Sequence, residues 1–215
     1  MINRPQRNDS ASDFAVSIPV VIATPHLYLT QAVVEQLFCD RYQLHEQSLL
    51  SDADQFVARE FVSLIGPRGR LDNVYVIGPT RLFSRVEISH SDGILLGIEA
   101  PIRGSSDLVG TPGIRVQGPR TSVQLDCGVI CAQRQVHMDP IVAHRLGLKD
   151  RDCVDVARES ADHQTLFDGV VIRVSPAYRL GFHLNADDAM AAGMHGGEHV
   201  LINHRSMTNP AMLDS

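Results

Sequence analysis

The chain has 215 residues, 44% of them hydrophobic and 20% charged, which is enough for one large domain or two small ones and gives no sign of disorder. A formal charge of −6 and the lack of any dense Lys/Arg run argue against nucleic acid or an anionic membrane as the main partner; singly placed arginines suit a small anion better. Aromatic residues make up 5% and Trp is absent, so the core is aliphatic and a β-rich fold is expected.

In chain order, residues 1–14 read as a flexible polar tail, and Val16–Ala23 (VSIPVVIA) as a buried strand. Gln31–Leu44 reads as a short helix and turn. Asn73–Ile77 (NVYVI) is a strand closed by Gly78-Pro79, and Arg85–Ser89 (RVEIS) alternates as a strand does. Pro101–Pro119 is dense in Gly, Pro and Ser and predicts successive turns between short strands. Gly128–Ala132 restarts an apolar strand. Pro140–Leu148 predicts a helix with Asp139 as N-cap and Pro140 at its first position, followed by strands near Cys153–Ala157 and Val170–Val174.

No apolar run approaches the roughly 20 residues of a membrane helix, and residues 1–14 lack the apolar centre of a secretory signal, so an intracellular protein is expected. Cys39, Cys127, Cys131 and Cys153 form no C-x-x-C, which predicts reduced thiols. Cys127 and Cys131 are expected on one strand face, where plain burial competes with a metal or redox role.

An internal repeat organises the chain. Val20–Thr30 (VVIATPHLYLT) aligns without gaps on Val129–Asp139 (VICAQRQVHMD), and Val86–Gly97 (VEISHSDGILLG) aligns on Phe182–Gly193 (FHLNADDAMAAG). Two related halves follow. The matched places hold His26 and Tyr28 against Gln135 and His137, and Glu87 against His183.

Residues spaced i, i+2 on a strand share a face, so His26 with Tyr28, and Gln135 with His137, each present two polar groups together. Imidazole and carboxylate are ordinary zinc ligands, and a catalytic zinc takes about three protein ligands, which His26, Glu87, His137 and His183 supply if the fold gathers them. Each taken alone reads first as a hydrogen-bonded or surface residue, and it is the matched placement in the two repeats that points to a metal site. Arg81, six residues before Glu87, can hold an oxyanion or form a surface salt bridge. Two motifs are decoys. His195–His199 (HGGEH) has two glycines at its centre and predicts a loop, and His45-Glu46 lacks the second His of a zincin motif, Leu49 standing in that place.

These residues fall in a longer pattern. Gly78-Pro79-Thr80-Arg81, Val86-Glu87-Ile88-Ser89, Leu96 to Arg103 (LGIEAPIR), Thr111-Pro112-Gly113, Gly128-Val129-Ile130 and Val136-His137-Met138 resemble, in order and spacing, the motifs of the phosphate propanoyltransferases (phosphotransacylases) of bacterial microcompartments. The match runs from about Ile18 to Ile202. The resemblance implies a mainly β fold with short capping helices, built as two small β-barrels related by the internal repeat. One barrel would comprise 15–24 plus 133–205 and the other 25–132, with 206–215 as a C-terminal tail.

It further implies transfer of a short acyl group, propanoyl or acetyl, between coenzyme A and inorganic phosphate, with acyl phosphate as the other partner. Family members use two metal ions, usually zinc, held mainly by two His-x-His motifs, a glutamate and a further histidine. Carried over, the ligands are His26, Glu87, His137 and His183, and Arg81 binds phosphate. Tyr28 and Gln135 occupy the two remaining histidine places. An amide oxygen is a poor zinc ligand, and a phenol binds well only after losing a proton that it holds at neutral pH, so each metal would lose one ligand.

The implied chemistry is a metal-held coenzyme A thiolate with Arg81 positioning phosphate, and direct transfer without an acyl-enzyme. The alternative is a degenerate, non-catalytic paralogue that keeps the fold as a binding or regulatory partner in a microcompartment-associated assembly. A homo-oligomer or shell association is compatible with either. The resemblance implies a cytoplasmic location, inside a microcompartment or free, although residues 1–14 carry no amphipathic targeting stripe.

Overall fold

A computed structural model describes residues 16–50, 54–158 and 164–203. The expected tails, 1–14 and 206–215, lie outside the described residues. The first half of the chain runs β1 (Ser17–Ala23), β2 (His26–Tyr28), α1 (Gln31–Leu37), β3 (Glu46–Leu49), β4 (Phe56–Ile65), β5 (Arg70–Gly78), β6 (Arg85–Glu87), α2 (His90–Leu96), β7 (Ile102–Arg103), β8 (Ile114–Gln117) and β9 (Ser122–Leu125). The second runs β10 (Val129–Ala132), β11 (Gln135–Met138), α3 (Pro140–Leu146), β12 (Cys153–Arg158), β13 (Thr165–Val174), β14 (Gly181–Asn185), α4 (Ala186–Ala191) and β15 (His199–Asn203). None of these helices is long and apolar enough to cross a membrane.

The strands form two sheets. One closes as a six-stranded barrel in the order β1-β14-β11-β13-β12-β15, with β15 antiparallel to both β12 and β1. The other is curled but open, in the order β7-β10-β6-β2-β5-β4-β8-β9, with β3 added beside β4. The mainly β architecture of two related units with short helices is therefore observed, with the second unit a half-barrel instead of a closed one. The turn-rich stretch accounts for the difference. Pro101, Arg103 and Pro112 lend carbonyls to the amides of Cys131, Gln133 and Val129, and the strands of that stretch reach only two to four residues.

β1 and β10 are exchanged between the units. β1 leaves its sequence neighbours to run parallel to β14 (Val20↔Phe182, Val21↔His183), and β10 runs parallel to β6 (Val129↔Val86, Ile130↔Glu87). These two pairings are related residue by residue through the sequence repeat. Helix starts repeat as well. Thr30 and Asp139 cap α1 and α3, while Ser89 and Asn185 accept the amides of Asp92 and Asp188 at the starts of α2 and α4. α2 also has the reciprocal bond from the Ser89 amide to Asp92 and ends at Gly97 with φ 73°, a left-handed cap that favours glycine.

Period-two alternation decides which side chains form the core and which face outward. In the barrel, Val136 and Met138 of β11 and Phe182 and Leu184 of β14 point inward to one apolar cluster with Ile18 and Val20. In the open sheet, Leu27 and Val86 point inward with Val76 and Val129. The residues between them, His26, Tyr28, Arg85, Glu87, Gln135, His137 and His183, are left on the opposite strand faces. The halves are tied by Asp187, which accepts from the Ser91 amide at 2.8 Å and its hydroxyl at 2.6 Å.

Glu60 of β4 is buried and anchors the loop after α1. It accepts from the Tyr42 hydroxyl at 2.9 Å and lies 2.7 Å from His45 Nδ1, with the His45 amide also donating. Burial alone pushes its carboxyl up, but the bonds from the His45 ring and amide and from Tyr42 outweigh it, and the pKa lies below the usual carboxylate value. A depressed folded-state pKa gives stability that is present above the unfolded value and lost as pH falls through the folded one. Glu60→Gln is expected to cost about 1–3 kcal/mol at neutral pH and to flatten the acid limb of the stability curve, as read by urea unfolding across pH. An unchanged acid limb would contradict this role for Glu60.

Candidate active site

β2 lies antiparallel on β6 in the register His26↔Glu87, Leu27↔Val86, Tyr28↔Arg85. Alternation then puts His26, Tyr28, Glu87 and Arg85 on one face as a two-by-two array. His26 Nδ1 lies 2.8 Å from the Thr24 carbonyl; a carbonyl only accepts, so Nδ1 donates and Nε2 faces Glu87 Oε2 at 3.5 Å. The other Glu87 oxygen lies 2.6 Å from Arg85 Nε. Arg85 Nη1 donates to the Ser105 carbonyl at 3.0 Å, and the guanidinium carbon stands 4.1 Å over the Tyr28 ring centroid. The Tyr28 hydroxyl donates to Gln55 at 3.0 Å, so its ring serves as a platform.

The barrel repeats this arrangement. β11 lies antiparallel on β14 in the register Gln135↔His183, Val136↔Phe182, His137↔Gly181. The His137 and His183 rings stand with centroids 4.1 Å apart, and Tyr178 stacks on His137 at 4.2 Å. Gln135 Oε1 lies 3.2 Å from His137 Nε2. Gly181 fits closely here: a Cβ would stand 3.3 Å from His183 Nε2 and 3.2 Å from Val21 Cγ2, so these side chains would have to give by a few tenths of an ångström.

Both arrays line one cleft of about 530 Å³, a size suited to a small-molecule site. All seven residues singled out by the sequence, His26, Tyr28, Arg81, Glu87, Gln135, His137 and His183, lie in its wall. Arg81 is exposed at the rim with its guanidinium carbon 5.7 Å from the Tyr28 ring centroid, and it makes no ion pair among the described residues. Apolar wall is supplied by Val21, Ile22, Val57 and Ile77. Sequence reasoning did not find Arg85, Tyr178 or Gly181. The signal for Arg85 was its i, i+2 spacing from Glu87, which puts both on one strand face.

A catalytic zinc is the group that the sequence resemblance implies for this cleft. Among the described residues no group of three or more His, Cys, Asp or Glu converges on a point where an ion could sit. The donors come as two pairs, His26 with Glu87 and His137 with His183, against the roughly three protein ligands that such a zinc takes. One oxygen of Glu87 is already engaged by a guanidinium. In the second pair, an Nε2 that donates to the Gln135 oxygen is not a metal donor. These residues as arranged do not fit a zinc with an ordinary ligand set.

A thiol nucleophile is also disfavoured. Cys131 is buried beside the cleft residue Asn185, whose amide lies 3.5 Å from Sγ; burial, then the nearby Asp188, Asp187 and Glu87 carboxylates, push its thiol up to about 11. Cys127 lies ahead of β10 and is exposed, so the two cysteines do not share a strand face as the sequence predicted. Residues 195–198 form a loop that enters β15 at His199, in keeping with the two glycines, with His195 bonded to Glu198 at 3.1 Å.

The profile of the phosphate propanoyltransferase family matches residues 19–195, which spans both arrays. The chain belongs to the phosphate propanoyltransferase family. Its similarity to individual members is high and extends over most of both chains. It is 41% identical to the phosphate propanoyltransferase of Thermotoga maritima over 185 residues, covering 86% of this chain and 88% of that one. It is 43% identical to the phosphate propanoyltransferases of Klebsiella pneumoniae and Salmonella typhimurium over 176 residues, covering 82% of this chain and 83% of each relative.

Within this chain the thiols are expected to separate by environment. Cys39 and Cys127, both exposed, should react quickly with a thiol reagent at pH 8, whereas Cys131 should react only on unfolding. Rapid labelling of Cys131 in the folded protein, located by peptide mass, would contradict its burial and raised pKa.

Proposed function

We propose that this chain transfers a short acyl group between coenzyme A and inorganic phosphate in the cleft between the barrel and the open sheet. Membership of the phosphate propanoyltransferase family over most of the chain carries the reading. The cleft has the parts such a reaction needs. Arg81 at the rim is the phosphate-binding group, because a guanidinium matches the planar donor pattern that phosphate oxygens accept. The apolar wall suits the acyl chain and the thiol end of coenzyme A.

In the forward direction a phosphate oxygen attacks the thioester carbonyl, the new C–O bond forms as C–S breaks, and the phosphate proton ends on the departing sulfur. The imidazoles of His26, His137 and His183 are the cleft groups that can carry that proton. A zinc, where bound, would act as a Lewis acid on the sulfur or carbonyl. The paired donors do not fit it. Transfer is direct: Cys131, the thiol beside the cleft residue Asn185, is buried and protonated.

The altered places Tyr28 and Gln135 favour a second reading, a non-catalytic paralogue that retains substrate binding. Coenzyme A release from acetyl- and propanoyl-coenzyme A with phosphate separates the two. Turnover is expected, and no release above the uncatalysed rate would leave the binding reading. Arg81→Gln should raise KM for phosphate by about tenfold or more, with KM for the thioester changed little. Labelled acyl phosphate should leave no acyl-protein; a stable adduct would overturn direct transfer.

A further inference from the structure

We infer that Arg85 is a built-in cation of this site, a guanidinium that stands where the related half leaves space and that binds the phosphate group without a metal ion. The repeat sets the comparison. Tyr28 corresponds to His137, and their cross-strand partners are Arg85 and Gly181 respectively. The same position thus holds the smallest side chain in one half and a guanidinium in the other. Gly181 leaves room for the His183 ring, which packs on that of His137. Arg85 fills that room with charge.

The surroundings of Arg85 hold it as a fixed cation. Its side chain is 19% exposed, Nε faces Glu87 Oε1, Nη1 donates to the Ser105 carbonyl, and the Tyr28 ring lies beneath the guanidinium. Nη2 has no acceptor among the described residues, and Arg85 lines the cleft. Arginine keeps its charge at any working pH and presents a planar fork of donors, so it needs no ligand set to remain in place. A divalent ion on Glu87 would have to sit beside this like charge and compete for the same carboxylate. Tyr28 in place of a ligand is explained by the same arrangement, since an aromatic face favours a guanidinium above it.

Arg81 approaches the same ring, so two guanidiniums flank Tyr28. Among the described residues of the wall, two guanidiniums, of Arg81 and Arg85, stand against one carboxyl group, of Glu87, which leaves a positive balance for an anion. The ligand is a phosphate dianion, free or as the end of an acyl phosphate. The inference rests on the proposed reading of the cleft as a phosphate site, though not on turnover.

The test is calorimetric titration of inorganic phosphate into the full chain, before and after dialysis against EDTA, with metal content measured by elemental analysis. Wild-type affinity should be unchanged by metal removal, within about twofold, and R85Q should weaken binding by about tenfold or more, with R85K intermediate. A wild-type affinity that falls on EDTA treatment and returns with zinc would overturn the inference. So would R85Q binding within twofold of wild type, or no wild-type binding at millimolar phosphate. Thermal melting checks that the variants fold, and the EDTA arm stands without them. Absence of turnover with these binding results would sink the acyltransferase reading alone, whereas turnover with metal-dependent binding would sink this inference alone.

Discussion

The register of β2 on β6 is the constraint on which the site depends. Setting His26 against Glu87 also sets Tyr28 against Arg85, because an antiparallel pair fixes every second residue on one face. A shift of one residue would turn all four side chains into the apolar core and bring Leu27 and Val86 out. The buried cluster around those two residues forbids the shift. Core packing therefore positions the polar array, and β11 on β14 does the same in the barrel.

Electrostatics follow from that geometry. Glu87 lies between an imidazole and a guanidinium, so its charge is balanced within the protein. Arg81 at the rim is not balanced in this way among the described residues, and the cleft has positive charge to offer an incoming anion. The barrel half contributes imidazoles and an aromatic stack instead of fixed charge. Two structurally related halves thus bring different chemistry to one cleft, which follows from the residues at their matched places differing while the backbone pairing stays the same.

Much of this was legible in the sequence. The gapless repeat marked the paired registers correctly, since Val20, Val21, His26 and Glu87 map onto Val129, Ile130, Gln135 and His183 in the observed ladders. Asp139 and Pro140 marked the start of α3 through capping chemistry that is local. β3, β4, α2 and β15 were not read from the sequence. Ile94 and Leu95 of α2 are exposed and Leu96 is buried, so the helix shows no clear apolar stripe. Arg85 escaped notice because the second repeat was aligned from Val86, one residue beyond it. Open against closed sheets cannot be read from repeat alignment, since closure depends on which remote strand meets the edge.

On the proposed reading, acyl transfer takes place in a cleft whose cations are side chains. The most direct test is the initial rate of acetyl-coenzyme A phosphorolysis by protein stripped of metal and checked by elemental analysis. Side-chain cations predict a rate within about twofold of the untreated protein. A rate that disappears on stripping and returns with added zinc would contradict it.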